Sequence, residues 1–157
     1  MQTPDFFADP DPRPPRRTPR DATQGIWGAG GRITWLAGLV LALSSFMDWY
    51  SGSGVGVKLS VIGWHTGALG KLVFFAGFAV VAIVALREAG IALPSSAPES
   101  LVTLAVGALA TVFVLIRVIS IPESMLPADA RGIGLWISLV AALGVIAGGL
   151  LQAADEL

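Results

Sequence analysis

The chain has 157 residues, 54% of them hydrophobic and only 13% charged, against roughly 25% charged in soluble domains. So few charges cannot cover a water-facing surface, which argues against an ordinary soluble globule and for a lipid bilayer as the partner. Ten Lys/Arg nearly balance eleven Asp/Glu, so no net charge draws the chain to nucleic acid; the lack of cysteine excludes disulfides, thiolate metal sites and cysteine nucleophiles.

Residues 1–31 read as a disordered, Pro/Arg-rich cytoplasmic tail. Six of the ten prolines fall there, and Arg13, Arg16, Arg17 and Arg20 are set against Asp5, Asp9, Asp11 and Asp21. Proline removes backbone donors, and the segment has almost nothing to bury except Phe6 and Phe7. Arg16-Arg17 suggests a twin-arginine export signal. The apolar run starts some 15 residues later without an A-x-A cleavage site, so a retained first span is expected.

Four apolar blocks follow, and they predict an all-α membrane protein, a four-transmembrane-helix bundle with a short β-hairpin-like outer first loop. The expected spans are about 32–50, 67–87, 100–121 and 132–152 within a transmembrane domain of 32–157. Crossing the bilayer core takes roughly 20 residues at about 1.5 Å each. The third and fourth blocks reach that length. The first two hold 15 uncharged residues each, Ile33–Met47 and Leu72–Leu86, so Arg32 and Lys71 must extend toward headgroups. Pro94, Pro98, Pro122 and Pro127 punctuate the later connections.

In the first connection Val55, Val57, Leu59 and Val61 alternate with Gly56, Lys58 and Ser60 after a Gly/Ser turn. Period two predicts a strand there, pairing with residues 48–51. Trp49, Trp64 and Trp136 are expected as interfacial anchors at the outer boundary, and Trp27 and Trp35 at the inner one.

Helical spacing selects four stripes of small residues: Thr34-Ala37-Leu41-Ser44-Asp48; Gly63-Gly67-Gly70-Phe74-Gly77-Val81; Thr103-Gly107-Ala110-Val114-Arg117; and Gly134-Ser138-Ala141-Val145-Gly148-Gln152. Small residues let helix backbones approach closely, which drives association where lipid competes for apolar contact. Gly107, Gly144 and Gly148 are the expected packing glycines, the last two forming a G-x-x-x-G that faces the bundle centre or a partner subunit. Asp48 and Arg117 close two stripes at matched depth, and an ion pair between them is expected to tie the first and third helices together.

Lys/Arg counts favour both termini in the cytoplasm: Arg13, Arg16, Arg17, Arg20, Arg32 and Arg87 lie inside, against Lys58, Lys71, Arg117 and Arg131 outside. No acid, base and nucleophile constellation is present, so no enzyme activity, cofactor or metal is expected. The lone His65 excludes any two-imidazole site and reads as a solvated loop residue. Gly28-Ala29-Gly30-Gly31 lacks G-x-G-x-x-G and P-loop spacing.

Trp49-Tyr50, Gly63-Trp64, Arg117 five residues before Pro122, and Gly134-Leu135-Trp136-Ile137-Ser138 together resemble a loose group of uncharacterised four-span membrane proteins of high-GC actinobacteria. The resemblance covers roughly residues 33–152. It departs at the single Pro122, where those proteins often carry an acidic residue and paired prolines. It implies a multi-pass fold in the bacterial plasma membrane and no activity. Claudin-like tetraspans offer an architectural analogy only, because their outer-loop disulfide cannot form here. The expected role is structural or accessory, acting by helix packing with itself or a membrane partner; the alternative is a small channel or transporter subunit.

Overall fold

The structure, a computed structural model, describes residues 28–54, 56–91, 98–120 and 130–156. The expected tail up to residue 27, with Trp27, and the prolines at 94, 122 and 127 lie outside these residues.

Among the described residues, four helices carry most of the fold: α1 (Ala29–Ser44), α2 (Ala68–Glu88), α3 (Glu99–Ile119) and α4 (Ile133–Glu156). Three short strands accompany them there: β1 (Asp48–Gly54), β2 (Val57–Ile62) and β3 (Ala130–Arg131). The helices form a ring in which α1 packs on α2 and α4, and α3 packs on the same two.

α2, α3 and α4 are long and apolar enough to cross a membrane. α1 has 16 residues, about 24 Å of helix, and does not reach the expected residue 50. Ser45, Phe46 and Met47 bond back to Ala42, Leu43 and Ser44, tightening the chain into a turn before β1 begins. At its other end α1 starts at Ala29, inside the expected tail. Gly30 is buried against the backbone of Gly148 and Gln152, so this glycine run is a packing surface and not a linker.

The helix ends follow local chemistry. Gly67, at φ +106°, takes a conformation closed to most side chains and turns the chain into α2. Glu99 opens α3 after Pro98, and Arg117 sits in its last turn, each charge complementing the helix dipole.

The expected hairpin forms, with Tyr50 opposite Val61 and Gly54 opposite Val57, and with a bulge between Asp48 and Tyr50. A third strand that the sequence does not announce joins its other edge: β3 pairs Arg131 with Tyr50 and Ala130 with Ser51. The fold is therefore mostly helical with a small sheet of order β2-β1-β3, not all-α.

Small residues fill the interior. Leu41, Val73, Val80, Ala110, Val114 and Val145 are fully buried, while Leu36, Leu43, Phe75, Phe78, Leu109 and Val140 are exposed. Apolar surface outside and small side chains inside reverse the soluble pattern and match a lipid-facing bundle.

Candidate functional site at the strand-bearing end

The sheet, the start of α2 and the last turn of α3 meet at one end of the bundle, and Arg117 lies among them. Its guanidinium donates through Nη2 to the carbonyl of Thr66, in the single turn of 3-10 helix (Gly63–Thr66) before α2. Its Nε is buried with no acceptor. The main-chain oxygen of Arg117 accepts a hydrogen bond from the Tyr50 hydroxyl at 2.8 Å. One residue on, the Val118 carbonyl accepts from Nε of Arg131 at 2.5 Å.

The expected Asp48–Arg117 ion pair does not form. Asp48 is exposed at the start of β1, and Arg117 turns to the Thr66 carbonyl instead. The sequence spacing placed Asp48 on a continued α1; once the helix ends at Ser44, that register is lost. An ion pair does form at the opposite end, where Arg87 Nε lies 3.8 Å from Glu99 and links α2 to α3.

Tyr50 is buried to 3% exposure, and this burial pushes its phenol above the ordinary value of 10.0, with the Arg117 and Arg131 charges acting the other way. The neutral, hydrogen-donating phenol is thus the form that the fold selects.

The three expected tryptophan anchors differ. Trp49 is fully buried, donating from Nε1 to the Ser44 carbonyl at 2.9 Å, so it plugs the bundle and does not anchor an interface. The bulge beside it turns the ring inward, and Gly63 leaves room: a Cβ there would stand 2.5 Å from the indole. Trp64 is half-buried, stacked on Phe46 at 5.6 Å and edge-on to Phe74, with Lys71 Nζ 5.7 Å from its ring centre. Trp136 is 49% exposed on the first turn of α4.

The packing glycines line helix seams. Gly107 lies against Val145 and Ile146, joining α3 to α4. Gly148 lies against Thr34, and a Cβ on Gly144 would stand 3.1 Å from that of Ala37. The G-x-x-x-G therefore faces α1 of the same chain. Two polar bridges share that seam. Ser44 and Ser138 hydroxyls lie 2.7 Å apart, and Gln152 Nε2 donates to Thr34 Oγ1 at 3.1 Å. Thr34 in turn donates to the Gly30 carbonyl at 2.8 Å.

Sequence reasoning missed Tyr50, Thr66 and Arg131 as neighbours of Arg117. A two-residue strand and a carbonyl acceptor carry no sequence signal. Among the described residues no group of three His, Asp or Glu side chains could hold a metal ion. Among the described residues, an apolar groove of about 510 Å³ opens between α1 and α4, lined by Leu36, Val40, Trp136 and Gly144 among others, and a polar hollow of about 490 Å³ opens over the sheet, around Asp48, Ser51, Lys58 and Ser60. No protein family, curated protein or solved structure matches the chain.

Proposed function

We propose that the chain is a four-span integral membrane protein of the bacterial plasma membrane, with both termini cytoplasmic and a structural or accessory role exercised through helix packing. The observation that carries this reading is the contrast between the interior and the outside of the bundle. Glycines and other small side chains line the α1–α2, α1–α4 and α3–α4 seams, with hydrogen-bonded hydroxyls between α1 and α4, while large apolar side chains cover the outer faces. Such a body is built to associate in lipid.

In this reading α1 crosses as a short span, completed by the Ser45–Met47 turn and by the sheet that caps it. Its 16 residues fall short of the roughly 30 Å core, and local thinning or extension of Arg32 makes up the difference at modest cost. The resemblance to four-span actinobacterial proteins belongs to the same proposal. Of the residues that carry it, Trp49, Tyr50, Gly63 and Arg117 lie at one end of the bundle.

The cysteine-free sequence makes the topology directly testable. Ser60→Cys on β2 should react with a membrane-impermeant maleimide on intact cells, and Ala154→Cys on α4 only after lysis; the reverse pattern sinks the orientation. For the role, affinity purification in mild detergent, with and without residues 1–27, should recover a partner or a self-associated form. A lone monomer in both preparations would overturn the accessory reading.

A further inference from the structure

We propose that β2 pairs antiparallel with β2 of a second copy of this chain, joining the two small sheets into one. The proposal deepens the accessory reading by naming a partner and the surface that meets it, and it rests on that reading.

The first observation is a bare edge. The sheet order is β2-β1-β3, so among the described residues β2 has a neighbour on one side only. The 121–129 connection ends at β3, on the far side of β1. Bonded pairs alternate along an antiparallel ladder. Gly132 donates to the Trp49 carbonyl from the β3 side, so Ser51 also turns its main chain to β3, and Tyr50 and Gly52 turn theirs to β2. Their partners Val61 and Leu59 face β1, which leaves the N–H and C=O groups of Lys58 and Ser60 pointing outward. Val57, Lys58, Leu59 and Ser60 are all exposed. Such an edge is a template for another strand, and β2 has no proline to blunt it.

The second observation is that β2 complements itself. Outward-facing residues must meet outward-facing residues, so Lys58 can lie opposite Lys58, Ser60 opposite Ser60, or Lys58 opposite Ser60 of the copy. The first sets like charges face to face, and the second sets each lysine against Ile62. In the third the dyad passes through Leu59, and each Lys58–Ser60 pair exchanges two main-chain hydrogen bonds. Leu59 then meets Leu59 and Val57 meets Val61, so apolar residues oppose apolar ones throughout.

Orientation and charge agree with this register. On one face of the sheet Tyr50 and Val61 rest on the core, while Ser51, Lys58 and Ser60 line the open hollow on the other. The two-fold axis of an antiparallel pair is perpendicular to its sheet, so here it leaves the end of the bundle. Both copies therefore stand in one membrane with the same orientation. Asp48 and Lys58 share the hollow, yet neither forms an ion pair among the described residues. Strand spacings put Lys58 about 12 Å from Asp48 of the copy, between Cα atoms, against about 14 Å within its own chain.

The chain has no cysteine, so single cysteines report the register in the full-length protein. In lipid vesicles under mild oxidant, Leu59→Cys should link two copies, because opposed residues of an unbonded pair stand about 4.5 Å apart at Cα, within disulfide range. Val57→Cys is the more exposed position, 58% against 39%, so random collision would favour it. It should stay unlinked, because the two copies of residue 57 lie about 14 Å apart. Ser60→Pro removes an outward N–H without touching the bonds to β1. In mild detergent it should halve the mass read by light scattering, with an unchanged circular dichroism spectrum; should it fail to fold, the two cysteine variants decide.

Equal linking of both cysteine variants, a dimer that Leu59→Cys fails to link, or a folded Ser60→Pro that stays dimeric would overturn the pairing and leave the accessory reading standing. So would a foreign protein bound in place of the copy and lost in Ser60→Pro, which would give the edge to another strand. A parent chain that is monomeric and alone would overturn both. A chain that stayed monodisperse without detergent would refute the membrane reading itself.

Discussion

The phenolic hydroxyl of Tyr50 donates to the main-chain oxygen of Arg117 at 2.8 Å, fastening β1 to the last turn of α3. The last carbonyls of a helix have no partner within the helix, and a buried one left unbonded is costly. Tyr50→Phe keeps the ring and removes only the donor. It should lower stability by about 1 kcal/mol, read as a drop in the thermal unfolding midpoint in detergent. An unchanged midpoint would mean that water takes over the Arg117 carbonyl at no cost.

Tyr50 is the single tyrosine of the chain, so tyrosinate absorbance near 295 nm reports on it alone. Burial raises its folded-state value above 10.0. Below the unfolded value both states hold the proton, and the contribution to stability is fully present. As the pH climbs past it, the unfolded chain ionises first and the fold loses stability until the folded phenol ionises too. The expected record is a titration midpoint above that of the unfolded chain, together with falling stability over the same range. Arg131→Gln removes one of the two charges that act to lower the value, so it should move the midpoint further up. A midpoint equal to that of free tyrosine would contradict the buried phenol.

Trp49 and Trp136 separate a core role from an interfacial one. Trp49 is fully buried and Trp136 is half exposed. Trp49→Ala should cost about 3–5 kcal/mol through lost burial and the cavity left beside Gly63. Trp136→Ala, at an exposed position, should change stability by roughly 0.5 kcal/mol or less. Denaturant or thermal unfolding of the two variants checks this, and similar losses in both would return Trp49 to the interface.

What the sequence made legible was periodicity. The stripe Thr34, Leu41 and Ser44 on α1 is buried, as are Thr103, Gly107, Ala110 and Val114 on α3 and Gly134, Ser138, Ala141, Val145 and Gly148 on α4. Period two likewise marked β2. End effects were not legible. The stripe on α1 continues in spacing to Asp48, yet the chain turns at Ser45 because a buried Trp49 and a bulged strand win over a further helical turn. That single break moves Asp48 to the surface and removes the expected partner of Arg117. Arg131 reaches the same place through a two-residue strand paired across about 80 positions, a contact set by tertiary structure alone.

The polar bridges across the α1–α4 seam should be modestly stabilising. A serine hydroxyl has one proton, and both Ser44 and Ser138 also have a carbonyl within reach, Leu41 at 2.7 Å and Gly134 at 2.8 Å. One serine therefore donates across the seam while the other donates within its own helix. A double-mutant cycle of Ser44→Ala and Ser138→Ala should give a coupling of about 0.6 kcal/mol, the typical value for hydrogen bonds between helices in membranes. A coupling of zero would show that both protons stay on their own helices.

Gly148 and Gly144 form one G-x-x-x-G, yet they should respond differently to a methyl group. A Cβ on Gly148 would run into Thr34, through its hydroxyl and its backbone, and backbone cannot swing aside. On Gly144 it would meet only the Ala37 side chain at 3.1 Å, at the rim of the apolar groove. Gly148→Ala should therefore cost about 1–3 kcal/mol, the usual penalty for overpacking, and Gly144→Ala distinctly less. Because both glycines face α1 of their own chain, the loss should appear as unfolding of the monomer and not as a shift in self-association. Size-exclusion chromatography with light scattering, run beside thermal unfolding, separates the two. If Gly148→Ala left the fold intact and dissolved an oligomer, the seam would belong to a partner subunit after all.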